Sequence, residues 1–221
     1  MTEQRPVRHH PPMKRLRKRF KHVLKRGLRP ALNRLLVRYS EVGDPVIFDN
    51  GLFPWTKELE GHYEEIRREA LRLGELHDCL PTFRKVSPYQ KRISKGPRWK
   101  TLWLYGFGHE SEVAKELCPA TARALAHVPE LQSAVFSLLA PGAHIRPHRG
   151  VYKGLVNYHL GVVIPKQAER CHMRVGDETI VWQPGQSYVF DDTNLHEVWN
   201  ESDEERIVLF LQFHRPFRSP G

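Results

Sequence analysis

Two histidines carry the most specific chemical possibility in this chain. His148 sits in Pro147-His148-Arg149-Gly150 and His196 in Asn194-Leu195-His196-Glu197-Val198, each at the end of an expected β-strand. Imidazoles converging from separate strands at one mouth of a barrel can bind a divalent metal, and imidazole suits Fe(II), Zn and Cu. Non-haem iron sites commonly pair two histidines with a carboxylate, usually two residues after the first histidine; that position here is Gly150. With 13 histidines in the chain, two of them 48 residues apart are equally open to plain structural roles. Arg206 opens an otherwise apolar strand. Pointing inward it needs an anion, because unpaired burial of a charge is costly; pointing outward it is a solvated rim residue, the ordinary place for arginine. Asp191 and Asp192 also lie at a strand end, where aspartate most often makes turn hydrogen bonds, and they are not assigned to a metal.

The elements that must position these residues follow from hydrophobic period. The periodicity predicts helices over about Lys57 to Leu76 and Ser111 to Ala126, with a loop-like, proline-marked stretch over 80–100. After Pro129 the pattern turns to strands: Ser133 to Ala140, Leu155 to Ile164, Cys171 to Val175, Thr179 to Trp182, Ser187 to Asp191 and Arg206 to Phe213. Gly176-Asp177 is a hairpin turn signal between the third and fourth. Alternation places Ser133, Val135 and Ser137 on one face of the first strand, and Leu155, Asn157 and His159 on one face of the second. In the last, Arg206, Val208, Phe210 and Gln212 share a face opposite Ile207, Leu209, Leu211 and Phe213. The expected class is α+β: a double-stranded β-helix (jelly-roll, cupin-like) core with N-terminal helices.

The order of the motifs is more specific than any one of them. Pro141-Gly142, Pro147-His148-Arg149-Gly150, Tyr158-His159-Leu160-Gly161, Arg174-Val175-Gly176-Asp177, Phe190-Asp191-Asp192-Thr193, His196-Glu197-Val198-Trp199-Asn200 and Arg206 follow one another. This string resembles the aspartyl/asparaginyl β-hydroxylase family of Fe(II)/2-oxoglutarate dioxygenases, and within it the bacterial lipid A 2-hydroxylases, over roughly residues 44–217. The resemblance implies a dioxygenase that uses Fe(II), 2-oxoglutarate and O2 to hydroxylate an unactivated C–H bond, releasing succinate and CO2. His148 and His196 would be the iron ligands, and Gly150 matches that family's own departure from the common triad. Arg206 would pair with the distal carboxylate of 2-oxoglutarate, Ser137 would donate to it, and His159 would help hold the iron-chelating end. The peptide hydroxylases carry arginines where this chain has Leu155 and Asn157. That alters a co-substrate contact at Asn157 and removes a charge that would grip an aspartyl side chain. Arg149 and Lys153 are the candidate substrate contacts that could compensate.

Charge separates the chain into two parts. Its 221 residues carry a formal +10, yet residues 1–40 hold thirteen Lys and Arg against the single acid Glu3, a net +12, leaving 41–221 at −2. The domain reading is a basic, partly disordered arm over 1–40 and a dioxygenase-like domain over 41–221. Leu16, Phe20, Val23, Leu24, Leu28, Ala31, Leu32, Leu35, Leu36 and Tyr39 recur at helical period, with Gly27 and Pro30 predicting a kink. Such a basic amphipathic helix either packs its apolar stripe on the protein's own body or lies on an anionic membrane surface through residues 14–39. Nucleic acid is disfavoured as a partner, since no aromatic platform accompanies the basic residues. The three cysteines form no CxxC pair, and no run of about 18 apolar residues occurs. The expectation is a cytoplasmic protein with a peripheral place on the inner face of the membrane, its substrate a peptide Asp/Asn side chain or a lipid acyl chain. The alternative is a non-catalytic cupin-like metal- or ligand-binding module with a basic membrane- or nucleic-acid-binding arm.

Overall fold

A computed structural model describes residues 27–75, 79–82, 93–94, 96–106 and 108–218. The segment 1–12 expected to be disordered, and the helical pattern from Leu16 up to residue 26, lie outside them. In chain order the elements are helix α1 (Arg29–Tyr39), strand β1 (Ile47–Phe48), helices α2 (Trp55–Gly61) and α3 (Tyr63–Glu75), strands β2 (Trp99–Gly106) and β3 (His109–Glu110), and helices α4 (Glu112–Leu117) and α5 (Pro119–Leu125). Eight strands follow: β4 (Leu131–Leu139), β5 (Ala143–His148), β6 (Leu155–Val163), β7 (Cys171–Val175), β8 (Glu178–Val181), β9 (Ser187–Phe190), β10 (His196–Asn200) and β11 (Arg206–His214).

Among the described residues these strands make two antiparallel sheets, one in the order β1-β9-β6-β11-β4-β2-β3 and a smaller one in the order β5-β10-β7-β8. This is the expected jelly-roll with helices ahead of it. Period-two alternation splits the large sheet's side chains between two cores. Phe136, Leu138, Tyr158, Leu160, Leu209 and Leu211 pack under helices α2–α5, against Leu59, Ile66, Leu73 and Leu125. Leu139, Phe190 and Val208 instead face the smaller sheet, meeting Ile145, Met173, Val175, Trp182 and Val198. The expected face assignments of β4, β6 and β11 are those observed.

Three expectations are corrected. The helix expected over 57–76 is two helices, interrupted after Gly61, whose missing Cβ makes it a poor helix former. The helix expected over 111–126 ends at Leu117 and restarts at Pro119, whose lack of an N–H suits the first helical position and no later one. The stretch read as loop ends in a strand at Trp99, which pairs with β4 across Trp99↔Leu139 to Gly106↔Ser133. The hairpin at Gly176-Asp177 is present, with Gly176 at φ 59°, where a Cβ is disfavoured.

The described residues before Ser40 are bonded to the rest of the structure. In α1, Arg29 Nη2 donates to Gly150 O (2.7 Å) and Asn33 Oδ1 accepts from Lys153 N (3.1 Å). Ser40, just beyond, bridges to Phe217.

Candidate functional site

The inner face of the jelly-roll encloses a cavity of about 410 Å³. His148 and His196 stand at one end of it, opposite each other in the β5–β10 register, with ring centroids 4.0 Å apart. Each ring is held by its Nδ1 against a carbonyl two residues earlier in the chain: Arg146 O at 2.8 Å for His148, Asn194 O at 3.0 Å for His196. An Nδ1–H spent in this way puts the lone pair on Nε2, the tautomer a metal requires. Burial lowers the pKa of His148, and burial together with the neighbouring His148 lowers that of His196 to about 4. Both are therefore neutral near pH 7. The donor set fits a divalent metal of the imidazole-binding class.

Gly150 has a specific reason to be glycine. A Cβ built there would fall 2.0 Å from Asp192 Oδ1. Gly150 N also donates to Asp192 O (2.7 Å), so the two backbones are fixed together. The carboxylate of Asp192 occupies the space that a side chain at position 150 would need. Burial, and then the charge of Asp191, push its pKa up to about 6, against a hydrogen bond from the Asn157 amide. Asp192 thus lines the cavity beside the histidine pair.

Asp191 is the turn former. Its Oδ1 accepts from Thr193 N (2.8 Å) and Oγ1 (2.6 Å), and its Oδ2 from Arg215 Nη2 (2.5 Å) and Lys153 Nζ (2.9 Å). Burial works to raise its pKa, but Thr193 and Lys153 outweigh it and hold the carboxyl below its ordinary range. Lys153 also pairs with Asp44. Its ammonium is committed to this network and does not line the cavity, so the expectation of Lys153 as a substrate contact is corrected. Arg149 does line the cavity at its exposed rim, with Nη1 donating to Thr193 O (3.2 Å).

The same cavity is lined by Arg206, 1% exposed, its guanidinium 4.8 Å from the Trp182 ring centroid. The solvated-rim alternative is therefore excluded. No described carboxylate pairs with it and its Nε has no described partner, while burial lowers its pKa to about 10. A buried cation without an anion is costly to the fold, so its presence calls for an acidic ligand. Ser137 Oγ lines the same cavity and accepts from Trp99 Nε1 (2.9 Å), leaving its own proton to donate. His159 and Asn157 line the cavity as well. His159 is enclosed by Trp182, Phe190 and Phe210, its Nδ1 has no partner among the described residues, and burial holds it neutral. Asn157 Oδ1 accepts from Gln212 Nε2 (3.2 Å). Beside the polar Ser133 and Gln212, the remaining walls are largely apolar, with Trp99, Trp103, Ile145, Met173 and Val198 among them.

The sequence model described as Aspartyl/Asparaginyl beta-hydroxylase matches residues 60–216, most of the chain and all of this cavity's strands. The chain belongs to the aspartyl/asparaginyl beta-hydroxylase family. Among curated members similar to it is the ornithine lipid ester-linked acyl 2-hydroxylase of Rhizobium tropici, 40% identical over 187 residues, which cover 85% of this chain and 66% of that protein. The aspartyl/asparaginyl beta-hydroxylase of Homo sapiens is 29% identical over 177 residues, covering 78% of this chain and 22% of the human protein. This chain thus spans just under two thirds of the first relative and less than a quarter of the second.

Proposed function

We propose that this chain is an Fe(II)- and 2-oxoglutarate-dependent hydroxylase acting on a lipid acyl chain. The observation that carries the reading is the cavity itself, lined by two neutral histidines with available Nε2 atoms and by buried Arg206, which has no ion pair among the described residues. His148 and His196 would hold the iron. Arg206 would form a two-pronged pair with the distal carboxylate of 2-oxoglutarate, a planar match that lysine lacks. Ser137, fixed by Trp99, would donate to the same carboxylate, and His159 and Asn157 would border the chelating end. Iron and 2-oxoglutarate, when bound, supply the activation of dioxygen and the insertion of one oxygen atom into a C–H bond. The protein's share is placement and dryness: the indoles and aliphatic side chains around the cavity exclude water from the reacting groups.

The apolar walls and the uncharged Leu155 and Asn157 suit an acyl chain better than an aspartyl carboxylate, and the 40% identity to an acyl 2-hydroxylase supports the same choice. To test it, the purified chain is incubated with Fe(II), 2-oxoglutarate and O2, and with either detergent-dispersed ornithine-containing lipid or Asp- and Asn-containing peptides. Mass spectrometry should find one added oxygen on the fatty acyl group. Oxygenation of the peptides with the lipid untouched would overturn the lipid assignment.

A further inference from the structure

Helix α1 leaves a row of large apolar side chains in water. Leu28, Leu32, Leu35 and Tyr39 recur in steps of four, three and four and are between 43% and 61% exposed. The other face of the helix, with Arg29, Asn33, Leu36 and Val37, is half-buried against the body. The apolar pattern noted in the sequence thus divides, and one row has no partner within the described structure. Contiguous exposed apolar surface of this kind marks an interaction site.

This row sits beside the cavity mouth. Arg29 reaches the carbonyl of Gly150 and Asn33 takes the N–H of Lys153, so α1 is bonded to both ends of the 150–153 loop. Within that loop Val151 (59% exposed) and Tyr152 line the cavity's rim while still facing solvent. Arg29 is also near enough to Asp192 to lower its pKa against the larger effect of burial. The charge is one-sided as well. Arg29, Arg34 and Arg38 are the only charged residues of α1, and residues 1–26 add ten Lys and Arg against Glu3.

We propose that α1 and the Gly150–Lys153 loop form a single docking surface for an anionic lipid bilayer, which sets the cavity mouth against the membrane. Leu28, Leu32, Leu35, Tyr39 and Val151 enter the acyl boundary, while Arg34 and Arg38 of α1 meet anionic headgroups. The described residues contain no helix long and apolar enough to cross a membrane, and interfacial docking requires none. The docking stands on the exposed row and the charge; only the acyl chain as the thing delivered rests on the proposed lipid hydroxylation.

The test is co-sedimentation of the full chain with vesicles of phosphatidylcholine alone or mixed with phosphatidylglycerol. Binding should be about tenfold or more tighter to the anionic vesicles and weaken with salt. The double variant Leu32→Glu/Leu35→Glu should lose about tenfold of that binding while melting at the wild-type temperature, since both side chains are exposed. Wild-type affinity in the double variant would overturn the proposal, as would retention on RNA with no retention on vesicles. A chain that oxygenates detergent-dispersed lipid without binding vesicles would refute the docking and leave the hydroxylase reading standing; vesicle binding with no lipid oxygenation would do the reverse.

Discussion

The carboxylate of Asp192 lies in the space above Gly150, 2.0 Å from where a Cβ at that position would stand. An acid placed at 150 and the native Asp192 therefore exclude each other. Gly150→Asp should fail to create a third ligand and should destabilise the protein by about 1–3 kcal/mol, a typical overpacking cost. Pairing it with Asp192→Gly should restore much of that stability. Thermal denaturation of the single and double variants decides the matter; equal melting of Gly150→Asp and wild type would contradict the packing argument.

Asp192 and His196 also oppose each other as pH changes. The folded Asp192 carboxyl titrates at about 6, above its ordinary 3.8, so the native state holds the extra proton and stability from this group falls as pH rises through that interval. His196 titrates at about 4 in the fold against an ordinary 6.5, so the unfolded chain holds the extra proton and stability rises with pH between those values. Asp192→Asn removes only the first contribution. The metal-free variant should gain stability more steeply than wild type between pH 4 and 6, as read from melting temperatures; parallel profiles would refute the assignment.

Metal binding should share the low pKa of the histidine pair. Protons compete with a metal only where the ligands bind them. With His196 at about 4 and His148 also lowered, proton competition from the two histidines should begin well below the ordinary histidine range of about 6.5. Calorimetric titration with Mn(II) or Co(II) in Asp192→Asn, where the carboxyl no longer contributes, should give an affinity that holds nearly constant from about pH 8 to below the ordinary histidine range before it falls. A fall of tenfold per pH unit beginning near 6.5 would show ordinary, exposed imidazoles.

Arg206 should cost the empty fold and serve the bound one. Arg206→Met removes a buried cation without an anion, so the variant should melt at or above the wild-type temperature. The same change should weaken 2-oxoglutarate binding on the order of 100-fold, the loss of a charge-assisted two-pronged pair. Calorimetry and denaturation on the same samples check both halves. A strongly destabilised variant with intact co-substrate affinity would mean that Arg206 is merely structural.

Asp191 should behave in the opposite way. Its carboxylate pairs with fully buried Arg215 and with Lys153, so Asp191→Asn leaves that guanidinium only the longer pair to Asp44 at 3.5 Å and should cost about 3 kcal/mol, the low end for a broken buried pair. Lys153→Ala should lower the melting temperature without changing substrate KM at temperatures where it stays folded. A KM effect at unchanged stability would return Lys153 to the substrate site.

Much of this was legible in the chain because β-strand faces have a strict period. Once β6 and β11 are recognised, Asn157, His159 and Arg206 must share the cavity face, and the register does place them there. What period cannot show is proximity across the sheets. Trp99 and Trp103 reach the site from a strand hidden behind a proline-rich stretch, and Asp192 reaches it because its backbone bonds to Gly150. Local punctuation was also missed at Gly61 and Pro119, single residues that divide otherwise continuous helical patterns. The amphipathic pattern of α1 was plain, but only the fold shows that part of it packs on the body while Leu28, Leu32 and Leu35 remain exposed.

The central claim is that His148, His196 and Arg206 form one oxygenase site, and the direct measurement is succinate released from 2-oxoglutarate by the iron-loaded full chain under O2. With its lipid substrate the wild type should form succinate in step with oxygenated product, and His148→Ala, His196→Ala and Arg206→Met should each abolish it at saturating iron and ordinary co-substrate concentration. No succinate with any lipid or peptide, as expected of a ligand-binding module, or undiminished release by His196→Ala, would contradict the account.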